Sequence, residues 1–259
     1  GNYSDARGRD VTAFLFDLYI GYNERFIQQV RAVGKENKGI QVVPIAYNTW
    51  FQPNPYMHYA SSGGDFMSGG VNLAPRVDIN DNENPFRSRI GNGPLLYWLD
   101  MATVKDKAFV VYETNVFRPD EYRAEYPLML SLLGSWQDWD GIFFYMWADG
   151  TIPRITDPKQ WLNQPLKYSS ESNRWSGVNT AVDQVFLSQM MAAGAMFKNE
   201  YIQPAPDPVV VRVGERYLGY AGGRTYDSFL TPLIRSSSFA TGTRIEFDPN
   251  LNDYEIYGH

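Results

Sequence analysis

Short apolar runs in this chain end in residue types that could do chemistry. Ile40, Val42, Val43 and Ile45 lead into Asn48 and Trp50. The run from Ala108 to Tyr112 ends at Glu113, Thr114 and Asn115, and the run from Gly141 to Tyr145 ends near Trp147 and Asp149. A carboxylate at the point where a buried strand emerges is placed to act as a nucleophile or a general base. Neighbouring amides can hydrogen-bond hydroxyls, and indole faces are apolar platforms on which pyranose rings stack. Each residue also has a plainer use. Glu113 could pair with an Arg or cap a helix, Trp50 and Trp147 could be core, and Asn48 and Asn115 could satisfy loop backbone.

Composition narrows the chemistry. Cysteine is absent, which removes thiolate catalysis, disulfides and Cys-type zinc sites. With only 2 histidines, His58 and the last residue His259, a Ser-His-Asp triad or a multi-His metal site is not expected. Acid–base work must then fall to carboxylates. The net charge of −6, with no run of Lys or Arg, argues against a nucleic-acid partner. No apolar stretch approaches the roughly 18 residues that span a bilayer. Aromatics make up 15% of the 259 residues, including 7 Trp and 18 Tyr, a modest pointer to a sugar site.

The elements that would position these residues alternate. Val11, Phe14, Leu15, Leu18 and Tyr22 recur at helical spacing, and Val30 and Val33 resume the stripe. That predicts an amphipathic helix over 10–33, with Asp10 as N-cap and Gly34 just past its end. Ile40 to Ile45 reads as a buried strand, Asp65 to Ser68 as a strand end, and about 94–104 as a helix. The run ending at Glu113 precedes a helix starting near Glu125, in which Pro127 is tolerated in the first turn. Gly141 to Tyr145 is the next strand, and 178–197 a clear helix. This is the pattern of a parallel α/β layer. Beyond Pro204-Ala205-Pro206 the texture changes: Val209, Val211 and Val213 alternate, and Arg244 to Phe247 reads as strand. Residues 1–206 are therefore expected to form one domain and 207–259 to begin a β-rich module. Asp78, Asn80 and Asn82 resemble the start of a calcium loop. Glu83 and Arg89, however, stand where such a loop needs Gly and a bidentate Glu. Gly69-Gly70 and Gly222-Gly223 read as turn signals.

Three stretches carry a more specific resemblance: Val110-Val111-Tyr112-Glu113-Thr114-Asn115, then Tyr122-Arg123-Ala124-Glu125-Tyr126-Pro127, then Gln137-Asp138-Trp139-Asp140-Gly141-Ile142-Phe143. Together they resemble retaining glycoside hydrolases of clan A, particularly β-galactosidase-like and cellulase-like (β/α)8 TIM-type barrels. The resemblance covers roughly residues 4–215 and is most specific over 110–149. It implies that Glu113 lies on the seventh barrel strand as nucleophile, and that 141–147 is the eighth strand, with Trp147 near the sugar. It makes 40–47 the fifth strand and 66–68 the sixth, and the helix from Asp10 then follows the fourth. Asn48, Trp50, Asn115, Trp147 and Asp149 become substrate-binding residues.

The resemblance also implies what should be missing. The acid/base of such enzymes is the Glu of an Asn-Glu pair ending the fourth strand, and no such pair precedes Asp10. Asn23-Glu24 lies within the expected helix, Asn82-Glu83 in a polar loop, and Asn199-Glu200 beyond the barrel. Strands one to four are thus expected upstream of this sequence. The missing half of the barrel, or a second copy, would then cover these strands. A further departure is Gly70 and Asn72, near positions where relatives often carry a His and an aromatic. The expected function is retaining hydrolysis of β-glycosidic bonds in an oligo- or polysaccharide through a covalent intermediate on Glu113, chemistry that needs no metal or organic cofactor. A secreted or periplasmic setting is favoured. The alternative is a non-catalytic carbohydrate-binding protein on a degenerate barrel. An unrelated α/β enzyme using Glu113 as general base is the third reading.

Overall fold

A computed structural model describes residues 5–36, 43–47, 55–73, 88, 97–116, 120, 122–145, 147, 180, 183–218 and 230–258. The chain folds as two units. One comprises Gly1–Gly69, Tyr97–Val110 and Ala205–His259, the other Gly70–Leu96 and Val111–Pro204. The texture change foreseen near residue 206 coincides with the chain's return to the first unit. The residues beyond it fold together with 1–69 and 97–110. Two three-stranded sheets are formed among the described residues, and neither closes on itself.

The first unit opens with α1 (Asp5–Glu36). Asp10 and Gly34 both lie inside this helix rather than at its ends. Its docked side is not the foreseen stripe. Phe16 stacks on Tyr59 of α2 (Pro55–Ser61), with ring centroids 5.8 Å apart, and lies tilted against Tyr56 at 4.8 Å. Asn23 and Ile27 are buried, and Arg31 pairs with Asp65 at 2.5 Å. Of the stripe expected to face a core, Val11, Phe14, Leu15, Leu18, Tyr22 and Val33 are instead 44–64% exposed, and Val30 is half-buried. The helix has two apolar sides, and stacking plus the ion pair select the one that periodicity did not single out.

The strand expected over 40–45 is described only from 43, where residues 43–47 form no ladder. Pro44 has no N–H to donate to one. The segment is held point by point: Asp65 N–H donates to Ile45 O (2.8 Å), Ile45 N–H to Asp65 Oδ2 (2.9 Å), and Ser68 Oγ to Tyr47 O (2.9 Å). The helix expected over 94–104 is seen as the short α3 (Tyr97–Asp100) followed by turns.

Further along, β4 (Val209–Val213) lies between β5 (Thr243–Phe247), parallel to it, and β6 (Tyr254–Tyr257), antiparallel. The register sets Arg212 beside Glu246 on one strand and Glu255 on the other. Its guanidinium meets both, at 3.3 and 3.0 Å. The outer edge of β5 is closed by the chain at 103–105: Ile245 N–H donates to Thr103 O (2.9 Å) and Lys105 N–H to Ile245 O (2.8 Å). That pairing removes an open strand edge. Beneath the sheet, Met101, Val211, Val213, Ile245, Leu230 and Ile234 form a core. The last two come from α7 (Leu230–Ala240), which sequence reading missed because Thr231, Pro232 and three serines dilute its apolar pattern. Between β4 and α7 lies the short α6 (Glu215–Leu218).

β1 (Met67–Leu73) and β2 (Phe109–Val116) each begin in the first unit and end in the second, where β3 (Gly141–Phe144) completes the order β1-β2-β3. Gly69-Gly70 is not a turn but the middle of β1. A Cβ at Gly69 would stand 3.1 Å from the Phe109 ring, and one at Gly70 only 2.8 Å from Tyr112 Cζ. Glycine here serves close packing rather than chain reversal.

In the second unit α4 (Glu125–Trp136) crosses from β2 to β3, and α5 (Gln184–Lys198) packs against α4. Tyr126, Leu130, Leu133 and Phe186 are buried there, with Phe144 edge-on to both Tyr126 and Phe186. Gly134 permits the approach, since a Cβ would lie 2.9 Å from Ile142 Cδ1 and 3.0 Å from Trp139.

Candidate functional site

The candidate site lies in the second unit, where β2 and β3 end. Side chains alternate across a strand. Thr114 turns toward α4: its hydroxyl donates to Val71 O (2.8 Å), and its oxygen accepts from the Tyr126 hydroxyl. Glu113, one residue earlier, therefore points to the face away from that helix, where it is half-buried. Tyr145 N–H donates to Thr114 O (2.9 Å). Because α4 crosses between the two strands, they run parallel, and that bond sets Phe143 beside Glu113, roughly 5 Å away across the ladder. Phe144 faces the helices, so Phe143 shares the face of Glu113, and it is 62% exposed. On this face Val71 and Val111 are buried, so the site opens toward β3. Trp147, just past β3, is 59% exposed.

The structure thus brings Glu113 together with an exposed aromatic that the sequence pass did not single out. The signal was available. In Phe143-Phe144 one ring must face each side of a strand, and the ring in register with Glu113 lies on its side.

Asn115 is buried, its amide donating to Tyr145 O and its Oδ1 accepting from Val116 N–H (2.8 Å). It ties the ends of β2 and β3 together beside Glu113. Asn48, Trp50 and Asp149 lie outside the described residues.

The other resemblance stretches build the frame. Arg123 Nε donates to Asp183 Oδ2 (2.5 Å), and Asp183 caps α5 by accepting from Phe186 N–H (3.1 Å). Arg123 also donates to Asp120 O (2.9 Å), and Asp120 Oδ1 accepts from Tyr122 N–H (2.9 Å). Glu125 accepts from Ser88 Oγ (2.7 Å). Asp138 closes α4 with a left-handed φ of 56°, and Trp139 N–H returns to Gly134 O (2.8 Å). A cavity of about 480 Å³ lined by Asp138, Trp139 and Glu200 adjoins the start of β3, away from the strand ends that carry Glu113.

His58, in the first unit, is buried, and burial holds its imidazole down to about 4, so it is neutral at pH 7. Among the described residues, His, Asp and Glu form no group of three or more that could hold a metal ion, and no helix is long and apolar enough to cross a membrane. No family model, curated protein or solved structure matches this chain.

Proposed function

We propose that this chain carries the nucleophile-bearing strands of a retaining β-glycosidase built on a (β/α)8-type barrel, with Glu113 as the nucleophile. The observation that carries the reading is a half-buried carboxylate at the carboxyl end of a parallel strand. It lies on the face opposite the crossover helix, with an exposed aromatic beside it. In parallel α/β layers substrates bind beyond the strands' carboxyl ends. A Glu113 oxygen attacks the anomeric carbon as the bond to the leaving oxygen breaks, and that oxygen takes the bonding electrons and a proton from the acid/base. Water then attacks the same carbon, gives its proton back to the acid/base, and releases Glu113. The acid/base is a second carboxylate about 5–5.5 Å from the nucleophile, and the reading takes it from a Glu outside these strand ends. Phe143 and Trp147 form the stacking surface, Asn115 braces the strand ends, and Asn48, Trp50 and Asp149 add substrate contacts.

The test is chemical rescue. Glu113→Ala should abolish turnover of activated aryl glycosides, and azide should restore it, giving a glycosyl azide of inverted configuration. Wild-type turnover by Glu113→Ala without azide would sink the proposal.

One observation favours the second reading, a carbohydrate-binding protein on a degenerate barrel. Where relatives often carry a His and an aromatic, this chain has Gly70 and Asn72, and Tyr112 leaves no room for a side chain at 70. In that case sugars would bind without being cleaved.

A further inference from the structure

The cavity of about 480 Å³ in the second unit opens where α4 and α5 end, and its size is that of a small-molecule site. The two helices close in the same way. After α4, Asp138 N–H donates to Ser135 O (3.2 Å) and Trp139 N–H to Gly134 O (2.8 Å). After α5, Glu200 N–H donates to Phe197 O (3.3 Å) and Tyr201 N–H to Met196 O (3.2 Å). This closure puts the residue just past each helix in the left-handed region, where glycine is usual. Here both are acidic, Asp138 at φ 56° and Glu200 at φ 51°. Each is out of place twice over, because it carries a Cβ and sits at the negative end of a helix dipole. Both line the cavity, and among the described residues neither has an ion-pair partner. Asp140 lines it too, and Lys198 is the one cation in the lining. A separate feature is Ser135. It lines the same cavity, is only 7% exposed, and its hydroxyl has no hydrogen-bond partner. A buried polar group left unpaired is costly, so this hydroxyl is set to bond what enters.

We infer that this cavity binds an aliphatic diamine or polyamine. Charge sets the sign: the carboxylates and the carboxyl ends of two helices repel an anion and attract a cation. A bare metal ion fits less well, because among the described residues no three acidic side chains come together to hold one. Negative charge spread around an apolar wall suits a ligand whose positive charges are spread along an alkyl stem. Its ammonium groups, which donate and cannot accept, meet Asp138 and Glu200, and one N–H goes to the Ser135 hydroxyl oxygen. The stem lies against Trp139 and Phe197, rings whose faces also attract a cation. The cavity adjoins the start of β3, away from the strand ends that carry Glu113, and the inference does not depend on the chemistry of Glu113.

The test uses the whole 259-residue chain in an amine-free buffer of low ionic strength. Calorimetric titration with spermidine should show one saturable site per chain. Butylamine, with a single ammonium on its stem, should bind roughly tenfold more weakly. Asp138→Gly and Glu200→Gly are the informative variants, since each removes a carboxylate and supplies the residue that the left-handed position favours. Each should raise the thermal midpoint and yet weaken spermidine binding by roughly threefold to tenfold. Ser135→Ala should also weaken binding and leave the chain folded. No saturable binding at millimolar spermidine would overturn the inference, as would an affinity unchanged in the chain carrying both glycine substitutions. Butylamine or magnesium ion binding as tightly as spermidine would overturn the choice of ligand, since charge alone would then account for the attraction.

Discussion

Replacing Asp100 with Asn should make the protein more stable at pH 8 than the wild type, and less so or not at all at pH 4.5. Asp100 is completely buried at the end of α3. Ser238 lies beside it, but its hydroxyl hydrogen goes to Ile234 O (2.7 Å), leaving both carboxyl oxygens without a well-formed hydrogen bond. Burial pushes the carboxyl up to about 7, against smaller lowering effects from Ser238 and Arg244. The fold therefore holds a proton that the unfolded chain releases above its ordinary value of 3.8. Stability from this group is complete below that value and falls as pH rises toward 7. The full loss is roughly 4 kcal/mol, at about 1.36 kcal/mol for each tenfold difference in proton affinity. Asn cannot ionise, though its buried amide costs about 1–2 kcal/mol of its own. The variant should thus gain on the wild type across pH 4 to 7, reaching an advantage of roughly 2–3 kcal/mol near pH 8. Urea unfolding followed by circular dichroism from pH 4.5 to 8.5 measures the difference. Any contribution of His58 is common to both proteins and cancels. A difference independent of pH, or one that shrinks as pH rises, would refute the reasoning.

His58 titrates the other way: held neutral down to about 4 by burial, it loses stability as pH falls from 6.5 through 4. His58→Gln should flatten that acid limb in the same assay. Asp183→Asn keeps an N-cap acceptor for α5 but removes the buried charge partner of Arg123, and should cost about 2–4 kcal/mol in chemical unfolding. Gly70→Ala forces a Cβ to 2.8 Å from Tyr112 Cζ. It should cost about 1–3 kcal/mol, and Tyr112→Val in the same chain should recover part of that loss.

What was legible in the sequence follows from where periodicity has one solution. β4 was legible because Val209, Val211 and Val213 recur at every second position among β-branched neighbours. The helix beginning at Glu125 was legible in its start, from Leu128, Leu132 and Trp136 with Leu133 beside them, but not in its face: Tyr126, Leu130 and Leu133 are the buried residues, and Leu132 is 41% exposed. α1 shows the limit. Its strongest stripe is the exposed one, because the docked side of Phe16, Ile27 and Arg31 depends on partners, Tyr56, Tyr59 and Asp65, that lie far along the chain. Gly69-Gly70 was misread for a related reason, since what dictates glycine there is the ring of Phe109 and that of Tyr112 on the neighbouring strand. At the site, the apolar run up to Tyr112 located Glu113. The role of Phe143 needed the strand register, and the tie made by Asn115 to Tyr145 needed the structure.

The central claim concerns Glu113, and covalent labelling tests it most directly. A glycosyl fluoride with fluorine at the sugar's 2-position has a leaving group that needs no protonation, so the second carboxylate is not required for attack. Galactosyl, glucosyl and mannosyl forms would be incubated with the chain and the products read by intact mass and peptide mapping. The account predicts one glycosyl adduct, on the peptide containing Glu113, and none in Glu113→Gln. Sugar turnover or labelling at another carboxylate, with the Glu113 peptide unmodified, would contradict it.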